Sequence, residues 1–480
     1  MSQHSILSTQ RFSLEDQTRF ARLSGDWNAM HLDPVAARRT LAGAPVVHGI
    51  HLLTWALECV SQSLKSAKRC SGIRVRFQKW AYLDRPVVLT GSFQESSQVR
   101  VQLEVDGAIA MTAVLDLEPS VSPPDRVWSA EGSTPEEAEV PLQLGIVDMR
   151  DRSGVLSLPP TGPIVQAYPG VTQFLGISQT TALICTSKLV GMICPGAHSI
   201  YAGLDLRFSQ DIQRDEALNY AVEDVDERFN AVKLTVRGGG VAGRVDSFVR
   251  QPPKQQASIS EISRAVRAGE FASTKALVVG GSRGLGEFCA KAIAAGGGDV
   301  TISYALGRAD AERVAEEIVT FGGRCEILKY DVRADPEPQL ALAPWSPSSI
   351  LYFATPKIVA SGKALNSRLL ADFMQYYVVG FSELLRVHQA LFHVPVRVFY
   401  PSSIYVEQSE NFLEYGLAKA AGENLCRQLS LRFAEVKALV FRLPRLPTDQ
   451  TVTLTNEESV SVDSVVLPIL REFLLSDGPS

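Results

Sequence analysis

The apolar positions of HLLTWALECVSQS (51–63) recur at helical spacing. Four segments follow in which apolar and polar residues alternate as in half-buried strands: IRVRFQKW (73–80), PVVLTGSF (86–93), VRVQLEV (99–105) and AIAMTAVLDL (108–117). The pattern then repeats. A helix over 172–188 precedes SIYAGLDLRF (199–208), ALNYAVEDV (217–225), FNAVKLTVRG (229–238) and GVAGRVDSFVR (240–250), and Arg76-Phe77 and Arg207-Phe208 hold matching places in the two series. A helix followed by antiparallel strands, used twice, predicts a long sheet wrapped around a central helix in each half. Two unrelated α+β domains are the alternative reading.

Beyond residue 272 the period changes. Strand ALVVG (276–280), helix EFCAKAIAAG (287–296), strand VTISYA (300–305), helix ADAERVAEEIVTFG (309–322) and strands CEILKYDV (325–332) and SSILYFA (348–354) alternate as βαβ units do. Their near-continuous apolar strands predict a parallel α/β sheet of Rossmann type, doubly wound with helices on both faces. Two stretches lack apolar periodicity: the Pro-, Ser- and Glu-rich 118–141, and the region from Pro252-Pro253 onward, which includes a short helical stretch around 262–268. The expected domains are therefore 1–120, a linker over 121–140, 141–251, a linker over 252–273, and 274–480, in line with about three domains at roughly 150 residues each.

Composition narrows the class. With 45% hydrophobic and 21% charged residues, the chain can bury several cores and is neither disordered nor a disulfide-stapled scaffold. The 47 Lys+Arg and 52 Asp+Glu give a formal charge of -5 without long runs of one sign, which argues against nucleic acid and anionic membranes as partners. Seven cysteines are scattered with no metal-ligand or redox spacing, so no metal is expected and reduced thiols fit a cytoplasmic location. The start MSQHSILSTQ lacks a secretory signal, and no apolar run reaches the ~18 residues of a membrane span.

The first candidate chemistry lies in FARLSGDWNAMHLD (20–33) and PVVHGIHLLTW (45–55). Asp26 and a neutral His31, converging on one water, can orient it and remove its proton, as addition of water to an activated double bond requires. His48-Gly49 stands where a helix begins, and unpaired N–H groups there can polarise a thioester carbonyl. A turn cap at Asp26 and a structural histidine at His31 are the plainer alternative. The full string resembles the S-G-D-x-N-x-x-H-x-D loop and H-G helix start of MaoC-like (R)-specific enoyl-thioester hydratases. That resemblance covers about the first 120 residues. It implies a hot-dog fold, Asp26 and His31 as catalytic pair, Gly49 as carbonyl contact and Asn28 beside the substrate. Ala29 replaces the family's proline. The second repeat has no Asp-x-x-x-x-His string, and its single histidine, His198, is expected to be structural. By analogy with fused members of the family, 141–251 is a non-catalytic half covering the acyl tail, which makes the first two segments an α+β double hot-dog.

The second candidate opens with VVGGSRGLGEF (278–288), in which Gly280, Gly284 and Gly286 follow a strand and introduce a helix, a cradle for a pyrophosphate. About 130 residues later Tyr415 and Lys419 fall four apart on one helix face, with Ser403, or its neighbour Ser402, upstream at a strand end. A lysine so placed lowers the phenol pKa and contacts a nicotinamide ribose, while the serine holds a carbonyl that the tyrosine protonates. The Gly-x-x-x-Gly-x-Gly spacing with Tyr-x-x-x-Lys resembles the short-chain dehydrogenase/reductase family. The resemblance implies a phosphate loop of Gly280, Ser282, Arg283, Gly284, Leu285 and Gly286, and an adenine contact at Asp331-Val332. No acid occupies 303–306, whereas Arg283 and Arg308 are placed to attract a 2'-phosphate, so the expected cofactor is NADP(H). Three positions depart from the family: Val279 for threonine, Tyr352-Phe353-Ala354-Thr355 for the Asn-Asn-Ala-Gly motif, and Tyr377 for the helix asparagine of the proton relay.

Together these readings imply one chain with two activities on a shared acyl thioester, carried by coenzyme A or acyl carrier protein. An (R)-3-hydroxyacyl dehydratase or enoyl hydratase would be joined to an NADPH-dependent 3-oxoacyl reductase. Two rivals remain: a hydratase with a catalytically silent nucleotide-binding domain, and a nucleotide-sugar reductase or epimerase, since PSSIYV (401–406) and EYGLAK (414–419) also resemble extended members of that superfamily. A homodimer is expected by analogy alone.

Overall fold

The computed structural model describes residues 5–64, 68–93, 97–120, 139–209, 217–358, 365–408, 412–448 and 461–475. Most of the first expected linker, 121–138, lies outside them. The described residues fall into two compact units that divide at Pro252 and Pro253. None of their helices is long and apolar enough to cross a membrane, and none of the cysteines is in a disulfide.

The first unit holds ten strands: β1 (Ser5–Arg11), β2 (Lys68–Phe77), β3 (Pro86–Phe93), β4 (Gln98–Val105), β5 (Ala108–Pro119), β6 (Ser153–Ser157), β7 (Ser199–Phe208), β8 (Ala217–Asp226), β9 (Ala231–Gly238) and β10 (Val241–Val249). They form one antiparallel sheet in the order β1-β3-β4-β5-β2-β7-β10-β9-β8-β6, which reads as the same five-strand plan from either end. The two plans meet at β2 and β7, where Gly72 pairs with Arg207, Arg74 with Asp205 and Arg76 with Gly203. Residues 72, 74 and 76 lie 131 positions before 203, 205 and 207, so the register is its own image under exchange of the halves, centred on Arg74 and Asp205. This pairing is why two repeats make one unit rather than two: neither β2 nor β7 is left as an open edge.

Alternation along the strands, such as the buried Val99, Val101, Leu103 and Val105 of β4, turns one face of the sheet inward. Two helices fill it, Gly49–Ser63 through Ile50, Leu53, Leu57 and Val60, and Ile177–Lys188 through Ala182, Leu183 and Ile184, within a single core. The expected helix over 172–188 is broken. Gly176, at φ 106°, separates Pro169–Leu175 from Ile177–Lys188, and a π-helical turn, Leu189–Ile193, continues the second piece.

The second unit has six parallel strands, β11 (Lys275–Val279), β12 (Asp299–Tyr304), β13 (Arg324–Lys329), β14 (Ser349–Tyr352), β15 (Val396–Ser403) and β16 (Val436–Leu443). Their order is β13-β12-β11-β14-β15-β16, the order of doubly wound dinucleotide folds. Successive residues face opposite layers: Val278, Leu351 and Phe399 enter one core, and Leu277, Ile350 and Val398 the other. Not all of 252–273 behaves as a linker. Ser258 caps a turn over Ile259–Ile262 through a capping box with Glu261, and Ile259, Ile262, Val266 and Phe271 are buried in the first of these cores.

Candidate active sites

Local signals set the first site. Ser13 and Asp16 form a capping box that starts the Leu14–Ser24 helix, and Gly25 ends it in the left-handed conformation, so Asp26 is the first residue of a fixed turn. Asp26 is buried. Its Oδ2 accepts a hydrogen bond from Ser187 Oγ at 2.7 Å and its Oδ1 accepts from the Asn28 amide at 3.2 Å. Ser187 belongs to the helix of the second repeat, so the acid of one half is held by a hydroxyl of the other. The π-helical turn then brings Gly191 against the same carboxylate: a Cβ there would stand 2.2 Å from Asp26 Oδ1, and only glycine fits.

His31 Nδ1 lies 2.8 Å from the carbonyl oxygen of Val46. A carbonyl only accepts, so Nδ1 carries the proton and Nε2 keeps its lone pair. One oxygen of Asp26 and one ring nitrogen each of His31 and His48 all lie within 4.8 Å of one another, close enough for one water to touch more than one of them. The His48 ring stacks on His31 at 3.8 Å between centroids. Its Nδ1 faces Gln17 Oε1 at 2.9 Å and its Nε2 faces the Asp26 carbonyl at 3.2 Å. With both His48 nitrogens turned to protein oxygens, the trio suits a water better than a metal ion.

Burial pushes the Asp26 carboxyl up, opposed by the charge of His31 and the Ser187 hydrogen bond. Burial pushes His31 down, opposed by Asp26. Burial thus favours the uncharged form of each group, and the attraction between them favours the charged pair. Asp26, His31 and Gly49 line a single pocket with the apolar Leu52, Phe77 and Tyr201. Gly49 is the first residue of the Gly49–Ser63 helix, whose opening amides have no partner within the helix. Asn28 stands behind this pocket rather than in it. Its Oδ1 accepts from the Met30 amide at 3.1 Å, and its Nδ2 donates to Gly191 O at 2.9 Å and, at greater length, to the carbonyls of Gly196 and Ala197.

In the second unit the turn after β11 carries Gly280 and Gly284 at φ 80° and 60°. A Cβ on Gly286 would come within 2.4 Å of Gly280 O, so the helix Gly284–Ala295 can start this close to the strand only on glycine. Ser282 is buried, Leu285 packs on the core and Arg283, with extended backbone, stands just before the helix without a capping side-chain bond. Ser303, near the end of β12, accepts a hydrogen bond from the Gly280 amide at 3.1 Å, so this place holds the turn together instead of presenting an acid. Arg308 opens the helix Arg308–Phe321, exposed and paired with Glu312 at 2.7 Å. Asp331 is paired with Arg333 at 2.8 Å, and Val332 is buried.

Ser403, Tyr415 and Lys419 come together. The Ser403 hydroxyl accepts from the Tyr405 amide at 3.3 Å and lies near enough to Tyr415 to oppose the upward push of burial on its phenol, whereas Ser402 turns the other way and donates to Glu423 at 2.5 Å. Lys419 is buried, donates to Pro401 O at 2.7 Å and lies 3.9 Å above the Tyr377 ring. The expected lowering of the phenol pKa is absent here: burial pushes Tyr415 up to about 12, and burial pushes Lys419 down to about 7, which weakens the cation that was to act on it. Tyr377 sits in a π-helical turn, its hydroxyl on Thr355 and its carbonyl accepting from Tyr400 at 3.1 Å.

Sequence reading missed Ser187 and Gly191. Gly191 left one trace, a glycine within the apolar run LVGMI (189–193), and Ser187 left none.

Residues 6–113 match the MaoC like domain family and residues 274–343 match the short chain dehydrogenase family. A 110-residue stretch, 22% of this chain, is 29% identical to peroxisomal multifunctional enzyme type 2 of Mus musculus and spans only 15% of that protein's length. Among solved structures, a short chain dehydrogenase from Burkholderia cenocepacia in complex with NADP is 20% identical with a TM-score of 0.38, covering 44% of this chain and 92% of that one. A 3-oxoacyl (acyl-carrier-protein) reductase from Agrobacterium tumefaciens with NADP bound is 23% identical with a TM-score of 0.35, covering 39% of this chain and 77% of that one. The chain thus carries a MaoC-like domain at its N-terminus and a short-chain dehydrogenase domain downstream.

Proposed function

We propose that this chain is a two-site enzyme of 3-hydroxyacyl thioesters, borne by coenzyme A or acyl carrier protein. Its double hot-dog unit interconverts the (R)-3-hydroxyacyl and trans-2-enoyl forms, and its Rossmann unit interconverts the 3-hydroxyacyl and 3-oxoacyl forms with NADP(H). The observation that carries the reading is the Asp26–His31 pair: a buried carboxylate and an imidazole whose Nδ1 proton is fixed by Val46 O, gathered at one pocket wall. In hydration the pair holds a water, takes its proton as oxygen attacks the β-carbon, and returns a proton to the α-carbon. The Gly49 amide, at the positive end of its helix, steadies the thioester oxygen as enolate charge builds there. Asn28 acts through the turn it holds, as a positioning residue. The second repeat supplies Ser187 and Gly191 to the acid rather than an acid of its own.

At the second site the glycine turn leaves room for a dinucleotide at a helix N-terminus, and Arg283 and Arg308 are the cations that favour a 2'-phosphate. NADPH, when bound, supplies the hydride. Ser403 orients the 3-oxo group, Tyr415 gives its phenolic proton to that oxygen, and Lys419 holds the end of β15 in place through Pro401 O. A second reading, a hydratase with a silent nucleotide-binding unit, is favoured by the Tyr377 ring beneath Lys419 and by the Tyr400 hydroxyl on the Tyr377 carbonyl, which together enclose the ammonium.

One cuvette separates the two. With crotonyl-coenzyme A and NADP+, loss of enoyl absorbance followed by growth of NADPH absorbance is expected. Enoyl loss without NADPH, together with no oxidation of NADPH by acetoacetyl-coenzyme A, selects the silent reading. Neither change rejects both.

The grip of the second repeat on Asp26 has its own test. Ser187→Ala removes a hydrogen bond to a buried carboxylate and is expected to lower hydratase kcat about tenfold, from a loss of about 1.5 kcal/mol. That bond favours the charged form, so its loss raises the Asp26 pKa. The limb of the pH–rate profile that needs the ionised acid therefore moves to higher pH. An unmoved limb rejects the role.

A further inference from the structure

Arg250 directly follows the last strand of the first unit, β10, and is only 6% exposed. Its Nη2 donates to the carbonyl of Ala197 at 2.7 Å, but its Nε and Nη1 are buried without a partner among the described residues. The imidazole of His198, whose backbone carbonyl accepts from the Arg250 amide at 2.8 Å, likewise has a buried, unpartnered Nδ1. Burial lowers the guanidinium only to about 10, so it is charged at neutral pH. A buried cation with most of its donors idle is a state that folded proteins rarely keep without a use for it.

Its place suggests the use. Ser199 and Tyr201, just beyond His198 along β7, line the Asp26–His31 pocket. Ala197, the carbonyl that Arg250 holds, also receives the longest of the Asn28 hydrogen bonds. Arg250 is close enough for its charge to depress the His31 pKa. A partner of opposite charge at Arg250 would relieve that depression and make His31 a stronger base as substrate arrives.

We propose that Arg250, with His198, which adjoins the pocket-lining Ser199, is an oxyanion subsite that takes a negatively charged oxygen group of the thioester substrate. The inference rests on the hydratase reading of that pocket. The oxyanion has two sources of the same chemistry, a phosphate of the carrier arm or a carboxylate on the acyl chain. A guanidinium suits either, because its fixed planar donors match the oxygen pairs of both.

The test compares wild type, Arg250→Met and Arg250→Lys on three enoyl thioesters: crotonyl-coenzyme A, trans-glutaconyl-coenzyme A and the crotonyl thioester of N-acetylcysteamine, which has no phosphate. If the phosphate is the partner, Arg250→Met raises KM at least tenfold for both coenzyme A esters and leaves the N-acetylcysteamine thioester unchanged. If the carboxylate is the partner, the rise is confined to the glutaconyl ester. Arg250→Lys keeps the charge and shows the same order at smaller size, which carries the test should the methionine variant not fold. An equal change for all three substrates, or none, overturns the subsite and leaves Arg250 as a prop for Ala197. Absence of hydration by the wild type is a different failure and falls on the hydratase reading itself.

Discussion

Asp26→Asn is expected to lower hydration of crotonyl-coenzyme A by about three orders of magnitude and to leave reduction of acetoacetyl-coenzyme A unchanged. The substitution is nearly isosteric. The single asparagine oxygen keeps one of the two hydrogen bonds that the carboxylate accepts, from Ser187 or from the Asn28 amide, while the bonds of the Asn28 side chain to Met30 and Gly191 are untouched and hold the turn. What disappears is the group that accepts and returns a proton, because an amide does neither at ordinary pH. His31 then stands without its counter-charge. In the wild type Asp26 opposes the downward push of burial on His31, so the variant histidine falls further below the ordinary value of 6.5. The sign follows directly. A base with a depressed pKa stays neutral down to lower pH, so the acid limb of any residual activity belongs at lower pH in the variant than in the wild type. The measurement is kcat against pH for both proteins, with KM for the enoyl thioester as the check that binding survives. Residual activity above about a tenth of wild type removes Asp26 from the chemistry, and loss of reduction alongside hydration contradicts independent sites.

What the sequence discloses follows from how local each cause is. Strands such as β4 and β9 were legible because every second residue is buried, a fact written into consecutive letters. The likeness of Arg76-Phe77 to Arg207-Phe208 exposed the repeat, but not that the repeats pair edge to edge, since which strands meet depends on a register between segments 131 residues apart. Tyr415 and Lys419 could be placed on one helix face by spacing alone. The charge state of Lys419 could not, because the rings of Tyr377 and Tyr400 and the carbonyl of Pro401 that surround it come from other elements. Ser187 was the least legible of all: its partner Asp26 is 161 residues away, and nothing in TSKLV (186–190) marks a hydroxyl with a carboxylate to hold. The stretch after Pro253 misled in the other direction. A short helix is expected around 262–268, but the helical turn is Ile259–Ile262, inside the stretch read as linker, and Ile259, Ile262, Val266 and Phe271 all reach the core.

Tyr415→Phe is expected to reduce acetoacetyl-coenzyme A reduction by two to four orders of magnitude, as removal of a general acid does, while hydration of crotonyl-coenzyme A continues at the wild-type rate. The ring is held by edge contacts to Phe373 and Tyr377 at 5.6 and 5.7 Å between centroids, and a phenylalanine makes both. Only the hydroxyl is lost, and with it the proton that the 3-oxo oxygen needs as hydride arrives at its carbon. The environment favours giving that proton rather than shedding it beforehand. Burial holds the phenol near 12, so the neutral donor is the resident form throughout the physiological range. Lys419 sets the other boundary. Its pKa is lowered to about 7, so its charge is complete below that pH and drains away above it, and with it the electrostatic support for a transient phenolate. Reduction by the wild type should therefore decline as pH rises through about 7, a limb absent from the hydratase profile. Quenching or enhancement of NADPH fluorescence on titration with the variant measures whether the cofactor still binds, and it should, since the phosphate turn at Gly280–Gly286 lies on another strand end. A variant that binds NADPH and still reduces the thioester at more than a tenth of the wild-type rate takes the proton donor's role from Tyr415. If wild type and variant alike bind NADPH and neither reduces the thioester, the enclosure of Lys419 by Tyr377 has silenced the second site, and the chain is a hydratase that carries a nucleotide.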